Sequence, residues 1–206
     1  MVALDVPGVR SQLVTALSTA GVTSLTPIQA GVLPHCLDGR DVLAKAKTGT
    51  GKTFAFLVPT VERLLRSSEA ATPKCAEATG GPDPVRALVL SSARELGTQI
   101  VVQAKKLCDS TPAFHIETIM GGSSIVPQRE RLDPSIVGSS GGEYGGTIDL
   151  MIATPGRLIE HINSTSGFAA RLFSCEILIL DECDMLLDGG FIQVCNATSA
   201  PFHALR

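Results

Sequence analysis

Ala46-Lys47-Thr48-Gly49-Thr50-Gly51-Lys52-Thr53 is the stretch on which the reading of this chain turns. Before it, Asp41 to Ala46 is short and apolar enough for a buried strand. After it, Lys52 to about Leu65 carries Phe54, Phe56, Leu57, Val61 and Leu64 as buried candidates of a helix. A strand, a Gly-rich turn with Lys and Thr, and a helix together make an anion site. Gly49 and Gly51 let the backbone curl so that successive N–H groups face phosphate oxygens. The helix beginning near Lys52 adds its positive N-terminal end. Lys52 is placed to reach the outer phosphates of a nucleoside triphosphate, and the Thr53 hydroxyl to ligate Mg²⁺. Ala46 stands where the general G-x-x-x-x-G-K-[ST] pattern has its first glycine.

Outward from the loop, the chain alternates helices and strands. Helices are expected from about Pro7 to Ala20, from Thr26-Pro27 to about Leu37 with a kink at Pro34, from Arg94 to Cys108 and from Pro155 to Ile162. Strands are expected at Arg86–Leu90, His115–Met120, Ile148–Ala153 and Glu176–Leu180. Uninterrupted apolar strands alternating with helices indicate a parallel sheet covered on both faces. Ser67–Pro84 and Pro134–Gly146, rich in small residues, Gly and Pro, read as surface insertions.

Composition narrows the classes. At 206 residues, 44% hydrophobic, the chain suits one domain and not a disordered segment. A formal charge of −3 excludes a basic body that attracts nucleic acid in bulk, so phosphate-backbone binding must come from local clusters or amides. Cys36, Cys75, Cys108, Cys175, Cys183 and Cys195 form no C-x-x-C pair, which argues against zinc and gives no disulfide framework. Their use suits a reducing, intracellular compartment, nuclear or cytoplasmic. No signal peptide and no apolar run of the ~20 residues needed to cross a bilayer is read.

Ile177-Leu178-Ile179-Leu180-Asp181-Glu182 delivers two carboxylates from the C-terminal end of a strand, where ligands of open α/β sheets collect. Alone, such a pair is commonly a solvated turn. With the upstream loop it becomes the other half of an ATPase site, Asp181 holding Mg²⁺ and Glu182 orienting or deprotonating water.

In order along the chain, these motifs resemble those of the DEAD-box ATP-dependent RNA helicases. Ala46–Thr53 is similar to the family's A-x-T-G-x-G-K-T loop, in which the first Ala is usual. Asp181-Glu182-Cys183-Asp184 resembles its Asp-Glu-Ala-Asp box, with Cys for Ala, and Leu187-Asp188-Gly189-Gly190-Phe191 its continuation. Gly21 to Gln29 resembles the adenine-recognising motif, which implies adenine reading by Gln29 with Thr26 nearby. A Gln amide can bond both N6 and N7 of adenine. Leu25 stands where the family has Pro, and Leu4 where it has an aromatic residue. Ser92-Ala93-Arg94-Glu95-Leu96-Gly97 resembles Pro-Thr-Arg-Glu-Leu-Ala. Gly121-Gly122 and Thr154-Pro155-Gly156-Arg157 match the family's glycine pair and its Thr-Pro-Gly-Arg. The resemblance assigns Arg94, Gly121, Gly122, Thr154, Pro155, Gly156 and Arg157 to a sequence-independent RNA-backbone surface, with Thr154 as a helix cap.

The resemblance implies an α/β, RecA-like P-loop domain with a mainly parallel sheet and helices on both faces. It divides the chain into a helical adenine-recognition segment (1–30), an ATP-binding domain (31–191) and a divergent tail (192–206). ATP and Mg²⁺ are the implied cofactors, with phosphates held by Ala46, Lys47, Thr48, Gly49, Thr50, Gly51, Lys52 and Thr53. Asp181, Glu182 and Lys52 are the implied catalytic residues. Beyond Phe191 the match stops: Ala197-Thr198-Ser199-Ala200 is too early and in the wrong order for the family's Ser-Ala-Thr motif. A second RecA-like domain with an arginine finger, whose loss slows phosphoryl transfer by ~10³–10⁵-fold, is expected to be missing. Nucleotide binding is therefore expected more firmly than turnover. The alternatives are a catalytically weak or inactive nucleotide- and RNA-binding module, and a P-loop ATPase acting on something other than RNA.

Overall fold

Four strands, each four to seven residues long and three of them mostly apolar, build the sheet that positions everything else. The computed structural model describes residues 6–70, 83–109, 111, 113–133 and 146–188. In chain order the elements are α1 (Ser11–Thr19), α2 (Pro27–Leu37), α3 (Lys52–Ala70), β1 (Val85–Ser91), α4 (Arg94–Cys108), β2 (Ile116–Ile119), α5 (Val126–Leu132), β3 (Ile148–Ala153), α6 (Pro155–Ser164), α7 (Phe168–Leu172), β4 (Ile177–Asp181) and α8 (Cys183–Asp188). They group into two compact units, one of residues 1–72 with 102–114, the other of 73–101 with 115–206.

In the second unit the strand order is β2-β3-β1-β4, and every pairing is parallel. Period-two alternation then stacks side chains in rows across the strands. Leu88 lies level with Met151 and Leu178, and Leu90 with Ala153 and Leu180. These rows meet Leu132, Leu158, Phe168, Leu172 and Leu186 from α5, α6, α7 and α8 in one apolar core. All seven residues of β1 are buried, so both of its faces are covered, as its uninterrupted apolar run foretells.

In the first unit α2 packs on α3. α2 runs through Pro34 to Leu37 and α3 through Pro59 to Ala70, well past Leu65. Near Pro59, which has no N–H to give, the Thr60 hydroxyl donates to the Phe56 carbonyl at 2.7 Å. The buried Glu62 accepts the Arg10 backbone N–H (3.0 Å), Arg10 Nε (3.2 Å) and Arg66 Nε (2.7 Å). Burial alone raises a carboxyl pKa; these donors outweigh it and hold Glu62 below the ordinary value. A carboxylate depressed on folding stabilises above its unfolded pKa, and the gain is lost as pH falls through the folded one. The urea midpoint should therefore drop on acidification below the ordinary glutamate range, and drop less in Glu62→Gln. Equal pH profiles for the two proteins would contradict this role.

The strand expected at Asp41–Ala46 is not formed: residues 41–47 have no regular structure, and Leu43 is 90% exposed. Only Val42 and Leu43 favour a pleated surface there, and without strand pairing a short run has little preference of its own. Helices α5, α7 and α8 were not expected, and the last turn of α3 occupies residues assigned to an insertion. The remainder of both insertions and the 192–206 tail lie outside the described residues.

Candidate functional site

Because β1 to β4 are parallel, their C-terminal ends share one edge of the sheet. Ser92-Ala93-Arg94 follows β1, Gly121-Gly122 follows β2, Thr154–Arg157 follows β3 and Glu182 follows β4. The strand order thus sets the motifs side by side: glycine pair, Thr-Pro-Gly-Arg, Arg94 segment, acidic pair. Ser91 is the register partner of Asp181. Next to it, the Ser92 hydroxyl donates to Glu182 Oε2 at 3.1 Å. Ser92 stands where the resembling motif has Pro, which has no hydroxyl to offer. Glu182 holds φ +54°, a left-handed conformation that is costly for a residue with a Cβ. It turns the chain off the strand, and its carbonyl accepts the Leu186 N–H to open α8.

A cleft of about 450 Å³ opens between the first turn of α4 and the turn after β2. It is lined by Arg94, Glu95, Thr98, Met120, Gly121 and Gln128, among others. The exposed Arg94 guanidinium lies directly over Gly122, in space that a Cβ there would occupy. Gly122 has φ +89°, so a glycine is needed for its backbone as well as for the close approach. Gly121 donates its N–H to Thr154 Oγ1 at 3.1 Å. Thr154 occupies the N-cap position of α6, but its hydroxyl makes no capping bond. The distant Gly121 amide has taken the oxygen that a local cap would use.

Arg157 is also placed differently from expectation. It is 7% exposed; Nη1 donates to Gln128 Oε1 (2.8 Å), Nη2 to the Ser123 carbonyl (2.6 Å), and Nε faces the Glu160 carboxylate at 3.0 Å. Pro155 is buried and Gly156 exposed.

In the first unit, Gly49 (φ +77°) and Gly51 (φ +85°) supply the left-handed bends that the phosphate-loop reading requires. Lys47, Thr48 and Gly49 are exposed, Ala46 and Thr50 to Thr53 partly so, and Lys52 is the first residue of α3. Thr50 Oγ1 donates to the Lys47 carbonyl at 2.7 Å, closing the loop on itself. Gln29 is buried: Oε1 accepts the Thr26 N–H (2.9 Å), and Nε2 donates to the Gly51 carbonyl (3.0 Å). Gln29 is therefore bonded to the Ala46–Thr53 loop itself. By its inventory it keeps one further N–H and one oxygen lone pair.

Residues 26–203 match the sequence profile of the DEAD/DEAH box helicases. The chain belongs to this family. Among its relatives, DEAD-box ATP-dependent RNA helicase 26 of Arabidopsis thaliana is 39% identical over 176 residues, covering 85% of this chain and 19% of the relative. DEAD-box ATP-dependent RNA helicase 25 of the same plant is 38% identical over 175 residues, covering 85% and 28%. This DEAD/DEAH box chain thus spans less than a third of the curated relatives it matches. Among solved structures, the DEAD-box helicase Mss116 bound to single-stranded RNA and UDP-BeF superposes with a TM-score of 0.74 at 26% identity, over 95% of this chain and 35% of that one. The RNA helicase Prp28 of Chaetomium thermophilum bound to ADP gives 0.68 at 30% identity, over 94% and 41%. The expected RecA-like parallel α/β fold is the one found. Among the described residues no helix is long and apolar enough to cross a membrane.

What motif reading did not find is the part played by Gln128, His161 and Ser92. Their partners come from segments 29 to 90 residues away, and no local spacing signals such contacts.

Proposed function

We propose that this chain is the ATP- and RNA-binding first domain of an ATP-dependent RNA helicase, acting inside the cell together with a second RecA-like domain. The observation that carries the reading is the alignment of all four motifs along one edge of a parallel sheet, with Arg94 drawn over Gly122. In this reading Lys52 and the amides of residues 46–53 hold the phosphates, while Gln29 with Thr26 reads adenine. Arg94, Gly121, Gly122, Thr154 and Gly156 face the RNA backbone, with the buried Pro155 holding the start of α6 between the last two. An exposed glycine, Gly122, beside a cation suits a phosphate and carries no base readout, which supports sequence-independent binding.

Among the described residues no cluster of three or more His, Cys, Asp or Glu could hold a metal. Mg²⁺ carried with the nucleotide needs few protein ligands, and by their motifs Thr53 and Asp181 are the residues assigned to it. Bound there, it would neutralise developing phosphate charge. Glu182, oriented by Ser92, positions the attacking water. The Ser92 bond ties the carboxylate that handles water to a residue two positions before Arg94, a short path for RNA to influence hydrolysis.

The chain should bind single-stranded RNA of unrelated sequences with similar affinity, and log Kd should rise with log[salt] by about 0.7 per phosphate contacted. Gly122→Ala should weaken this binding about fivefold to tenfold, by displacing a charged group, and lower stability by ~1–2 kcal/mol through its positive φ. Fluorescence anisotropy and a thermal melt check the two effects. Affinity insensitive to salt, or wild-type affinity in both Gly122→Ala and Arg94→Ala, would refute the RNA cleft. RNA-stimulated phosphate release, absent in Glu182→Gln, separates an enzyme from a module that only binds.

A further inference from the structure

The turn that carries the glycine pair, Met120 to Ser123, is gripped from three directions by groups outside it. Gln128 Nε2 donates to the Met120 carbonyl at 3.3 Å, just before Gly121. Arg157 Nη2 donates to the Ser123 carbonyl at 2.6 Å, just after Gly122. Thr154 Oγ1 accepts the Gly121 N–H at 3.1 Å. Two of these grips meet at one atom: Gln128 Oε1 accepts from Arg157 Nη1 at 2.8 Å and stands 3.1 Å from His161 Nε2.

The proton positions follow from the partners. An amide oxygen only accepts, so His161 Nε2 carries the proton. Nδ1 is then the acceptor, and the Thr165 hydroxyl at 2.8 Å donates to it. Burial, and after it the Arg157 charge, pushes the His161 pKa down to about 4, which keeps the ring neutral in this arrangement. Gln128 is 9%, Arg157 7% and His161 0% exposed, so the network lies beneath the cleft. A buried polar network of this kind is rigid when all its members are bonded.

We propose that Gln128 and Arg157, braced by His161, are positioning residues that fix the Met120–Ser123 turn in its RNA-binding shape. Arg157 acts from beneath the surface and makes no phosphate contact. This rests on the reading of the Arg94–Gly122 cleft as the RNA site. Arg157 has spent its guanidinium on a carbonyl, an amide oxygen and a carboxylate, all within the protein. Gln128 supplies what charge cannot: it accepts from Arg157 and His161 while donating to the Met120 carbonyl. The glycine pair, free to adopt many conformations alone, is held with the Gly121 N–H on Thr154 and with Gly122 under Arg94. Preorganisation of this kind appears as affinity because the ordering cost is not left to the binding step.

The test compares the whole chain with its Gln128→Glu, Gln128→Leu, Arg157→Lys, Arg157→Met and Arg94→Ala variants. A labelled single-stranded RNA is titrated by anisotropy between 50 and 200 mM KCl. Hydrogen exchange is read at the Gly121 amide. A phosphate contact, removed in Arg94→Ala, should lower the salt slope by about 0.7. The two Gln128 variants and Arg157→Lys should each lose about tenfold in affinity with the slope of the wild-type chain, the loss of roughly one well-placed hydrogen bond to the turn. Gly121 exchange should quicken in all three and stay slow in Arg94→Ala. Wild-type affinity in Arg157→Lys, or a slope reduced in Arg157→Met as in Arg94→Ala, would make Arg157 a phosphate ligand and overturn the proposal. If Gln128→Leu fails to fold, Gln128→Glu decides, since it keeps the acceptor for Arg157 and loses only the donor to Met120. If the wild-type chain binds no RNA, the cleft reading fails by itself. The Gly121 exchange then decides the positioning role: faster in Gln128→Glu sustains it, unchanged removes it.

Discussion

Lys52→Ala is expected to weaken ATP binding about 10- to 100-fold while leaving RNA affinity in the absence of nucleotide unchanged. The size follows from what is removed: one charge-assisted hydrogen bond to phosphate, worth roughly 1.5–3 kcal/mol. What remains is the backbone. Gly49 and Gly51 keep their left-handed bends, and α3 still begins directly after Gly51, so its amides and dipole still attract an anion. The effect should thus be severe and short of total for a triphosphate, and smaller for AMP, which has no outer phosphates for Lys52 to reach. Titration calorimetry with ATP, ADP and AMP gives the comparison. RNA affinity should hold because Arg94, Gly121 and Gly122 belong to the other compact unit and to the sheet edge. Unchanged ATP affinity would remove the phosphate role from the loop. An equal loss for AMP would show that the variant had damaged the fold instead of the site.

The ease with which that loop is recognised contrasts with what lies around it. Helix α4 and strand β3 match their sequence expectations residue for residue, because each is long enough for its periodicity to be unambiguous. Helices α5, α7 and α8 have seven, five and six residues. Two turns or fewer show no period, and such helices form only because Leu132, Phe168, Leu172 and Leu186 find a core waiting for them. Asp41–Ala46 fails in the opposite sense: an apolar run states a preference for burial and cannot supply the neighbouring strand. For the site, the motif positions were legible, and the parallel topology explains why they converge at one edge. The directions of their side chains were not. Thr154 looks like a helix cap and binds Gly121; Arg157 looks like a phosphate ligand and turns inward to Gln128. In each case the partner lies about thirty residues away, and only the packed sheet brings it near.

Arg171 extends the same point to stability, and Arg171→Met is expected to cost about 3–5 kcal/mol, the scale of breaking a buried charged network. Arg171 is 3% exposed, and its guanidinium is spread over three backbone carbonyls: Asp83 through Nε (2.7 Å), Leu132 through Nη1 (3.2 Å) and Gly146 through Nη2 (2.8 Å). Burial lowers its pKa and the charges of Asp83 and Glu117 oppose that fall, so the cation sits in a partly compensated interior position. Met would fill much of the volume of the aliphatic stem and leave three carbonyls without this donor. Each buried carbonyl left so costs roughly 1–3 kcal/mol, less where water reaches it. The three also lie where the Gly-, Ser- and Pro-rich insertions meet the sheet: Asp83 just ahead of β1, Leu132 at the end of α5, and Gly146 just ahead of β3. One side chain therefore ties together the residues just before β1, at the end of α5 and just before β3. Urea unfolding should show the midpoint falling by at least ~1 M, since small domains change by about 1–3 kcal/mol per molar urea. Arg171→Lys, which can reach one carbonyl but not three in a fixed fork, should fall between the two. A lysine variant as stable as the wild type would mean that charge alone holds this junction. A methionine variant as stable would mean that the three carbonyls find other donors when the arginine is gone.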